Sequence, residues 1–411
     1  MNVDELVRDS LREQAAEQPP LAADFAARVL TVRRRRRTRR LATVAAATAA
    51  VVAVAVAVPL LDSGKDQVRL ATEMNKSDII AHPDQSPPRD LIAAGDVALA
   101  AYYTWDTVIT RKKDTVVRQR SYSILDQETG KYVADSRWSM VAVAPGMRTA
   151  AVLEKELPAK RIGLLDLLTG EVERWIPVDR GVANVEFSSD GTRLVATTYS
   201  KNPDLLTKAA NDLDGDGKKN DFMPDWSKSY RTGFYIVDVD SGRTEWTEVT
   251  DEGPANGLNM YNSRQDFSFS GDGKLVRSGL STESYDQYYD LKGDKVDRPA
   301  DEKYLTWWVQ ARLSPNGKLA AGDFAGGRKT TASEILDPRT GKRLHKIPGQ
   351  QLLAWADNER LVAWDIKAGD SEFRNALVLV TIGSDRTIPL SGARKGDDAA
   401  PGRWNPVFAT R

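Results

Sequence analysis

Apolar and polar residues alternate along short stretches of the chain from about residue 91 to its end, and tight-turn sequences separate the stretches. The pattern is clearest in "FSSDGTRLVATTYS" (187–200), "FSFSGDGKLVRSGL" (267–280) and "ARLSPNGKLAAGDF" (311–324). A period of two places the apolar side chains on one face of a β-strand, and Asp-Gly or Asn-Gly supplies the positive φ angles of a tight hairpin. Each segment is therefore predicted to form a strand, a turn and a second strand.

Two kinds of turn alternate along this region. Hairpin turns are indicated at 94–96, 144–147, 188–191, 270–273, 314–317 and 356–359. Asp-x-x-x-Gly turns follow apolar strands in "ILDQETGK", "LLDLLTGE", "IVDVDSGR", "YYDLKGDK" and "EILDPRTGK". Successive hairpin turns lie about 40 to 50 residues apart, except for one interval of 82. Repeats of this length, with about four strands each, are typical of a β-propeller.

The pattern predicts an all-β fold, a six-bladed β-propeller over residues 91–411 with an insertion at 200–231. The segment "RWNPVFATR" (403–411) is a further predicted strand. It either completes the first blade and closes the ring or belongs to a seventh blade. An array of β-sandwiches and two separate β domains are the competing folds, but a sandwich would not explain a period that is regular in both kinds of turn.

The repeated "FSSDGTRLVA" and "LSPNGKLAAG" segments and the paired "DxxTG" turns resemble WD40-like repeats of the TolB type. The Gly-His and Trp-Asp signature of true WD40 blades is absent, although "TWD" (104–106) and "AWD" (363–365) are similar to part of it. The whole layout resembles actinobacterial single-span membrane proteins with an exported WD40-like domain. That resemblance implies a platform for binding or scaffolding, not a reaction.

An uncharged apolar run precedes the β-rich region. Residues 41–61 would extend for about 31 Å as a helix, close to the ~30 Å hydrocarbon core of a bilayer. Seven arginines in 33–40 precede the run, and the positive-inside rule then places residues 1–40 in the cytoplasm. We predict a single-pass plasma-membrane protein with a linker at 62–90 and an extracytoplasmic propeller. The alternative is a cleaved signal peptide, because "AVA" at 53–55 or 55–57 is compatible with a cleavage site.

Charge and composition restrict the function further. Residues 1–40 contain ten arginines and six acidic residues, so the basic excess is confined to one end and a nucleic-acid-binding face is not expected. Val3, Leu6, Val7 and Leu11 lie at helical spacing and predict an N-terminal helical segment before the membrane helix. This basic segment docks onto a cytoplasmic partner, lies on the membrane surface or is a loosely ordered tail. The chain has no cysteine and two histidines. Disulfides, thiolate chemistry and cysteine-based zinc sites are therefore excluded, and histidine-based catalysis is not expected.

The insertion contains a candidate calcium loop, "NDLDGDGKKND". Carboxylates at alternate positions followed by Gly217 reproduce the start of an EF-hand loop, although Met223 replaces the usual glutamate at the twelfth position. A solvated acidic turn is the alternative. The residues predicted to bind a structural Ca²⁺ are Asp212, Asp214, Asp216, Lys218 (through its backbone carbonyl), Asn220 and Asp221. Asp225 is the alternative to Asp221 as the substitute for the missing glutamate.

Aromatic residues in polar surroundings suggest a surface for ligands. The residues predicted to bind an exterior ligand are Tyr285, Tyr288, Tyr289 and Trp307. No Gly-x-Ser-x-Gly, P-loop or paired-histidine motif occurs, and Asp323 and Asp365 are the candidate carboxylates for a hydrolase, a less favoured prediction. We therefore predict a non-catalytic binding or scaffolding module for a protein or an envelope polymer. The alternative is an anti-sigma-like signalling protein whose cytoplasmic segment binds a partner.

Overall fold

The computed structural model describes residues 78–112, 114–212, 217, 221–224, 230–249, 264–279, 285–326, 332–366, 374–395 and 403–411. Every regular element in these ranges is a β-strand. The predicted membrane segment 41–61 and the basic segment 1–40 lie outside them. Among the described residues, no helix has the length and apolar character needed to cross a bilayer.

The strands of the first half of the chain are β1 (Ile79–Ile80), β2 (Ala93–Ala94), β3 (Val97–Ile109), β4 (Thr115–Asp126), β5 (Lys131–Asp135), β6 (Trp138–Val143), β7 (Thr149–Glu154), β8 (Ala159–Asp166), β9 (Val172–Phe187), β10 (Arg193–Tyr199), β11 (Leu205–Lys208), β12 (Phe222–Pro224), β13 (Arg231–Asp238) and β14 (Thr244–Glu248). Those of the second half are β15 (Phe267–Phe269), β16 (Val276–Gly279), β17 (Asp286–Tyr289), β18 (Lys295–Val296), β19 (Ala320–Phe324), β20 (Ala332–Leu336), β21 (Arg343–Pro348), β22 (Gln351–Trp355), β23 (Arg360–Ile366), β24 (Asn375–Thr381), β25 (Thr387–Pro389) and β26 (Trp404–Thr410).

Antiparallel pairing arranges these strands in six blades. Blade 1 has the order β26-β3-β4-β5, and blade 2 consists of β6, β7, β8 and the first half of β9. The second half of β9 continues into blade 3, where it pairs with β10, followed by β13 and β14. Blade 4 is β15–β18, and blade 6 is β22–β25. In blade 5 an isolated bridge between Leu313 and Ala320 precedes β19, β20 and β21.

The six blades pack in sequence around a closed ring. Apolar clusters join blade 1 to 2, 2 to 3, 3 to 4, 5 to 6 and 6 back to 1. Blades 4 and 5 are joined by buried ion pairs, including one of 2.8 Å between Arg312 Nη1 and Asp286 Oδ2. The first strand of a blade is mostly buried, as in β6, whereas the last is largely exposed, as in β21. The first strand is therefore the innermost.

The C-terminal strand closes the ring. β26 pairs with β3 along seven residue pairs, from Trp404 opposite Thr104 to Thr410 opposite Val97. The prediction that residues 403–411 complete the first blade is confirmed, and the alternative of a seventh blade is wrong. The "AGD" turn (94–96) consequently joins β2 to β3 and does not follow the innermost strand of blade 1.

The start of the propeller lies earlier than residue 91. β1 pairs with β2, and a parallel bridge joins His82 to Ser391. Gln85 is buried, and its Oε1 accepts hydrogen bonds from the backbone N–H groups of Arg89 and Asp90. The assignment of 78–90 to the linker is therefore corrected. These residues are held by backbone pairing and a side-chain amide, features that leave no periodic signal in the sequence.

The insertion lies between β10 and β13, and its β11 pairs with β4 in blade 1 at Leu205–Val117, Leu206–Val116 and Thr207–Thr115. The segment 208–223 that follows belongs to a compact unit distinct from the propeller. Within that segment the Ala209 N–H donates to the Asp221 carbonyl at 2.8 Å.

Candidate functional site

The two ends of the ring differ in their connections. The turns after the innermost strands lie at one end and contact the neighbouring blades there: the Gly146 N–H donates to the Thr410 carbonyl at the end of β26, and Arg193 at the start of β10 donates to the Gly273 carbonyl. These turns are short. We call the opposite end, where the innermost strands begin at Trp404, Trp138 and Gln351, the entry mouth. The longer connections, such as the one from β10 to β13, leave and re-enter the blades at the entry mouth.

A pocket of about 210 Å³ opens at the entry mouth. Blades 1 and 6, the C-terminal strand and Gln310 before blade 5 all contribute to it. Its lining residues are the aromatic Tyr103, Trp105 and Trp364, the polar Gln310, Gln351 and Asn405, the cationic Arg394 and Arg403, and Pro406. Two guanidinium groups line the pocket, and none of its described lining residues is acidic.

Arg394 is held in place by neighbouring strands. Its guanidinium carbon lies 3.7 Å from the centroid of the Trp364 ring. Its Nε donates to Asn375 Oδ1 at 2.7 Å and its Nη1 to the Trp404 carbonyl at 3.0 Å. The side chain is buried, as is that of Arg403, whose Nη2 donates to the same Asn375 oxygen at 3.4 Å. Two buried guanidinium groups therefore border one cavity and share one carboxamide oxygen.

Arginines also stack on the other side of the pocket. The guanidinium carbons of Arg120 and Arg118 lie 4.3 Å and 4.8 Å from the centroid of Trp105. Arg120 forms a buried ion pair with Asp204 at 3.2 Å. Arg118 is in no ion pair with a described residue. The stacking fixes the orientation of Trp105.

A second ion-pair network lies beside Arg120. Arg264 bonds to Asp204 and Asp266, each at 2.7 Å, and donates to the Ala183 carbonyl. Burial acts to lower the pKa of Arg264, but the two carboxylates outweigh it and hold the pKa above its ordinary value. Burial, followed by the charge of Asp266, raises the pKa of Tyr199, whose hydroxyl donates to that carboxylate. Each of these carboxylates has an arginine partner, and the ion pairs connect blades 1, 3 and 4.

Two adjacent tryptophans are exposed at the entry mouth. Trp307 and Trp308 are 41% and 40% exposed, with ring centroids 5.4 Å apart. Asp323 Oδ1 accepts hydrogen bonds from Trp308 Nε1 at 2.6 Å and from Thr306 Oγ1 at 2.9 Å. Gln351 of the pocket donates to the Trp308 carbonyl at 3.4 Å. The tryptophan pair therefore adjoins the pocket, and the carboxylate of Asp323 positions a ring.

The exposed apolar side chains are concentrated at this end. Nine large apolar residues are exposed in the described part of the chain, and six of them belong to strand ends or connections at the entry mouth. These six are Val108, Ile109, Tyr285, Trp307, Trp308 and Phe324. The other three, Val133, Leu344 and Ile388, belong to the outermost strands of blades.

The four predicted ligand-binding aromatics separate into two groups. Tyr285 and Trp307 are exposed, and Arg298 stacks on Tyr285 with its guanidinium carbon 4.4 Å from the ring centroid. Tyr288 and Tyr289 are 1% and 2% exposed, so the prediction that they lie on a binding surface is corrected. Tyr289 packs edge-to-face on Phe267 in the core.

Tyr288 belongs to a buried polar cluster between blades 4 and 5. Its hydroxyl donates to Glu302 Oε2 at 2.6 Å, and Arg312 bonds to Asp286, Glu302 and the Tyr288 hydroxyl. Burial raises the pKa of Tyr288 far above its ordinary value, and the charge of Glu302 contributes in the same direction. The hydroxyl is therefore a permanent donor within a structural cluster.

Most of the predicted calcium loop lies outside the described residues, including Asp214, Asp216, Lys218 and Asn220. Of the described ones, Asp212 Oδ2 accepts a hydrogen bond from the Gly217 N–H at 2.6 Å, and Gly217 has a φ of 79°. No group of three potential metal ligands occurs among the described residues. The other hydrolase candidate, Asp365, follows pocket-lining Trp364 in β23.

The sequence contained a signal for part of the pocket. Trp105 and Trp364 are the tryptophans of "TWD" and "AWD", which recur near the ends of the second strands of blades 1 and 6. Because these blades are neighbours in a closed ring, the two rings meet at one pocket. Arg394 and Arg403 had no comparable signal, since both belong to the irregular connection before β26.

Comparisons with known proteins show likeness in structure only. No family model matches the chain, and no curated protein matches it in sequence. It is similar to the Myceliophteria thermophila Cps50 (Swd1) β-propeller domain, with 12% identity, a TM-score of 0.39 and coverage of 79% of this chain and 99% of that one. TolB from Acinetobacter baumannii is 15% identical, with a TM-score of 0.37 and coverage of 72% of this chain and 66% of that one. Kuenenia stuttgartiensis hydrazine synthase is 13% identical, with a TM-score of 0.36 and coverage of 67% of this chain and 76% of that one. The assignment of the propeller rests on the strand pairing and blade packing.

Proposed function

We propose that the chain is a non-catalytic binding module that recognises a protein or an envelope polymer at the entry mouth, held at the plasma membrane by residues 41–61. The observation that carries this proposal is the exposed pair Trp307 and Trp308 beside the arginine-lined pocket. Exposed tryptophans at one end of a rigid scaffold are typical of binding surfaces, because each buries a large apolar area with few rotamers to fix.

The chemistry at the mouth supports binding over catalysis. Asp323 and the carboxylates of the Arg264 network accept hydrogen bonds from tryptophan or arginine side chains. A general acid or base needs an ionisable group within reach of a substrate, and each of these carboxylates is instead used to position a neighbour. The guanidinium, amide and indole groups at the pocket are groups for recognition.

Capture of envelope fractions by the purified full chain tests the proposal. The double variant Trp307→Ala/Trp308→Ala is expected to reduce capture by about tenfold or more, the loss typical of a binding hot spot. Leu344→Ala is the matched control, because Leu344 is also 41% exposed but lies on the outermost strand of blade 5. Equal capture by the double variant and the wild type would contradict the proposal. A specific cytosolic partner captured by residues 1–40 would instead favour the signalling function.

We further propose that the insertion binds a structural Ca²⁺ through the six predicted ligands. The bond from the Gly217 N–H to Asp212 and the positive φ of Gly217 support a tight acidic loop at this position. Calcium is expected to raise the melting temperature of the full chain relative to a chelator, and Asp216→Asn should remove most of that rise. Equal melting temperatures in calcium and in chelator would contradict the site.

A further inference from the structure

We propose that the β3–β4 hairpin at the entry mouth binds an extended acidic segment of a partner protein, which adds a strand along the free edge of β3. This inference rests on the proposed binding function and names the class of partner. β26 pairs with β3 only as far as Thr104, whereas β3 continues to Ile109. The last five residues of β3 therefore extend beyond the innermost strand, by roughly 17 Å at ~3.4 Å per residue.

The extended part of β3 is paired on one side. It pairs with β4 up to Ile109, and β11 pairs with β4 in turn. Across the hairpin, the Thr110 N–H donates to the Thr115 carbonyl at 3.3 Å. Because the backbone groups of a strand point alternately to its two sides, the N–H and C=O groups of Trp105, Thr107 and Ile109 point away from β4. No strand in the described part of the chain pairs with this edge.

Apolar side chains are exposed along the same edge. Ile109 is 79% exposed and Val108 is 41% exposed, and adjacent residues of a strand point to opposite faces. Residues 106–109 are all exposed, whereas residues 116–119 opposite them on β4 are buried or half-buried. The exposure is therefore concentrated on the β3 side of the hairpin. A strand added there would cover Ile109 on one face and Val108 on the other.

The charges beside this edge favour an acidic partner. Residues 105–119 contain four basic and two acidic residues. Arg111 and Lys112 are exposed in the turn, and Arg118 lies on β4. None of these three cations forms an ion pair with a described residue. Carboxylates on an added strand would come within reach of them, and cross-strand pairs of opposite charge stabilise a sheet.

The free backbone groups distinguish a partner strand from other possible occupants of this edge. A bilayer would leave the outward N–H and C=O groups unpaired in hydrocarbon, which is costly. A second copy of the chain, paired through the same edge, would bring two basic hairpins together. An extended acidic segment can pair with the backbone, cover the apolar side chains and neutralise the cations at once.

Fluorescence anisotropy with the purified full chain and dye-labelled peptides tests the inference. The probes are a peptide of alternating valine and glutamate, its analogue of alternating valine and lysine, and the glutamate peptide N-methylated along its backbone. The lysine analogue has the wrong charge, and the N-methylated peptide cannot donate backbone hydrogen bonds. We expect the unmodified glutamate peptide to bind about tenfold or more tightly than either of the other two.

Substitutions in the hairpin locate the binding edge. Thr107→Pro removes an N–H that points away from β4, a change that an edge strand tolerates, and should weaken the glutamate peptide by about tenfold or more. Thr107→Val keeps this N–H and is the matched control. Arg111→Glu/Lys112→Glu should also weaken binding by about tenfold. Lys292→Glu/Lys318→Glu, which reverses two exposed charges on blades 4 and 5, should have no effect.

Several outcomes would overturn the inference. They are no binding of the glutamate peptide, equal binding of the lysine or N-methylated peptide, and equal binding by Thr107→Pro and Thr107→Val. Self-association of the chain that Thr107→Pro abolishes would assign the edge to a second copy instead. Because the chain has no cysteine, a fluorophore on Thr107→Cys is unique, and its quenching by headgroup-labelled lipid in nanodiscs would assign the edge to a bilayer. If the glutamate peptide fails to bind but the tryptophan variant loses envelope capture, the inference fails and the proposed function stands.

Discussion

At the scale of single residues, a carboxylate and a carboxamide perform the same task in equivalent turns. In blade 3, Asp190 Oδ1 accepts hydrogen bonds from Ser188 Oγ at 2.6 Å and the Thr192 N–H at 3.1 Å. In blade 5, Asn316 Oδ1 accepts from Ser314 Oγ at 2.8 Å and the Lys318 N–H at 3.0 Å. In both turns the acceptor residue is followed directly by a glycine with positive φ. Of these two acceptors, only Asp190 in blade 3 has an ionisable side chain.

The first prediction concerns acid stability. The hydrogen bond from Ser188, followed by those from Thr192, lowers the pKa of Asp190 from 3.8 to about 2. Because the folded-state pKa lies below the unfolded value, the stabilisation is complete above about pH 3.8 and is lost as the pH falls towards 2. Asp190→Asn should therefore lose less stability than the wild type between pH 5 and pH 2.5, measured by thermal melting.

Asp190→Ala is the control for the hydrogen bonds themselves. It removes the acceptor at every pH, and the free energy of unfolding should fall by about 1 kcal/mol already at pH 7. Identical acid sensitivity of Asp190→Asn and the wild type would show that the charge of Asp190 does not contribute.

The role of Asp190 and Asn316 as turn residues could be predicted because their hydrogen-bond partners are nearby in the sequence. The burial of Tyr288 could not be predicted, because it depends on Glu302 and Arg312, which come from the next connection and the next blade. A tyrosine in a polar stretch has the same local pattern whether it points to solvent or to a buried ion pair. The exposed Tyr285 and the buried Tyr288 differ only in what packs on them.

At the scale of elements, the closure of the ring by β26 can be tested through Trp404. This side chain is 1% exposed, packs on Trp364 and Tyr102, and donates from Nε1 to Ser86 Oγ at 3.0 Å. Trp404→Ala is expected to lower the free energy of unfolding by about 3–5 kcal/mol, the cost of a large cavity between the first and last blades. Denaturation in urea measures it. Trp307→Ala, which truncates an exposed ring, should cost less than about 1 kcal/mol. Similar losses in both would contradict the docking of β26.

The joint between blades 4 and 5 supports another prediction. Arg312 is largely buried and contacts both Asp286 and Glu302. Arg312→Met would leave two buried carboxylates without that cation, and the free energy of unfolding should fall by about 3–5 kcal/mol. Arg343→Met, which removes an exposed ion pair with Glu334, should cost less than about 1 kcal/mol. Adding Glu302→Gln to Arg312→Met should restore part of the loss; no difference between Arg312→Met and Arg343→Met would contradict the role of this cluster.

The hairpins of the blades were largely predictable, whereas the irregular segments that complete the core between blades were not. Alternation and turn residues located the hairpins, because both signals are local. In blade 4 the outermost strand is reduced to Lys295–Val296, and Leu305 and Val309 of the following connection pack instead in clusters with blade 5 and blade 6 residues. That connection has no period of two, so no sequence pattern indicated that it belongs to the core.

At the scale of the whole molecule, the pocket is formed by residues that are about 300 positions apart. Tyr103 and Trp105 come from blade 1, and Arg403 and Asn405 from the end of the chain. Ring closure brings them together, and no local signal in the sequence could place them at one cavity. The prediction of a closed propeller implied that the first and last blades are neighbours. The positions of Arg394 and Arg403, however, depend on the connection before β26, which has no periodic pattern.

The last prediction concerns the orientation of the chain in the membrane. If residues 41–61 span the bilayer with residues 1–40 inside, a membrane-impermeant amine reagent should label Lys274 on intact cells, since this side chain is 79% exposed on the propeller. Residues 1–40 contain no lysine, so the variant Gln18→Lys supplies the internal control and should be labelled at position 18 only after the cells are opened. Peptide mapping by mass spectrometry measures both. Deletion of 41–61 should release the propeller from the membrane fraction. Labelling at position 18 of that variant, but not of Lys274, on intact cells would reverse the topology, and the proposed exterior ligand could then not reach the entry mouth.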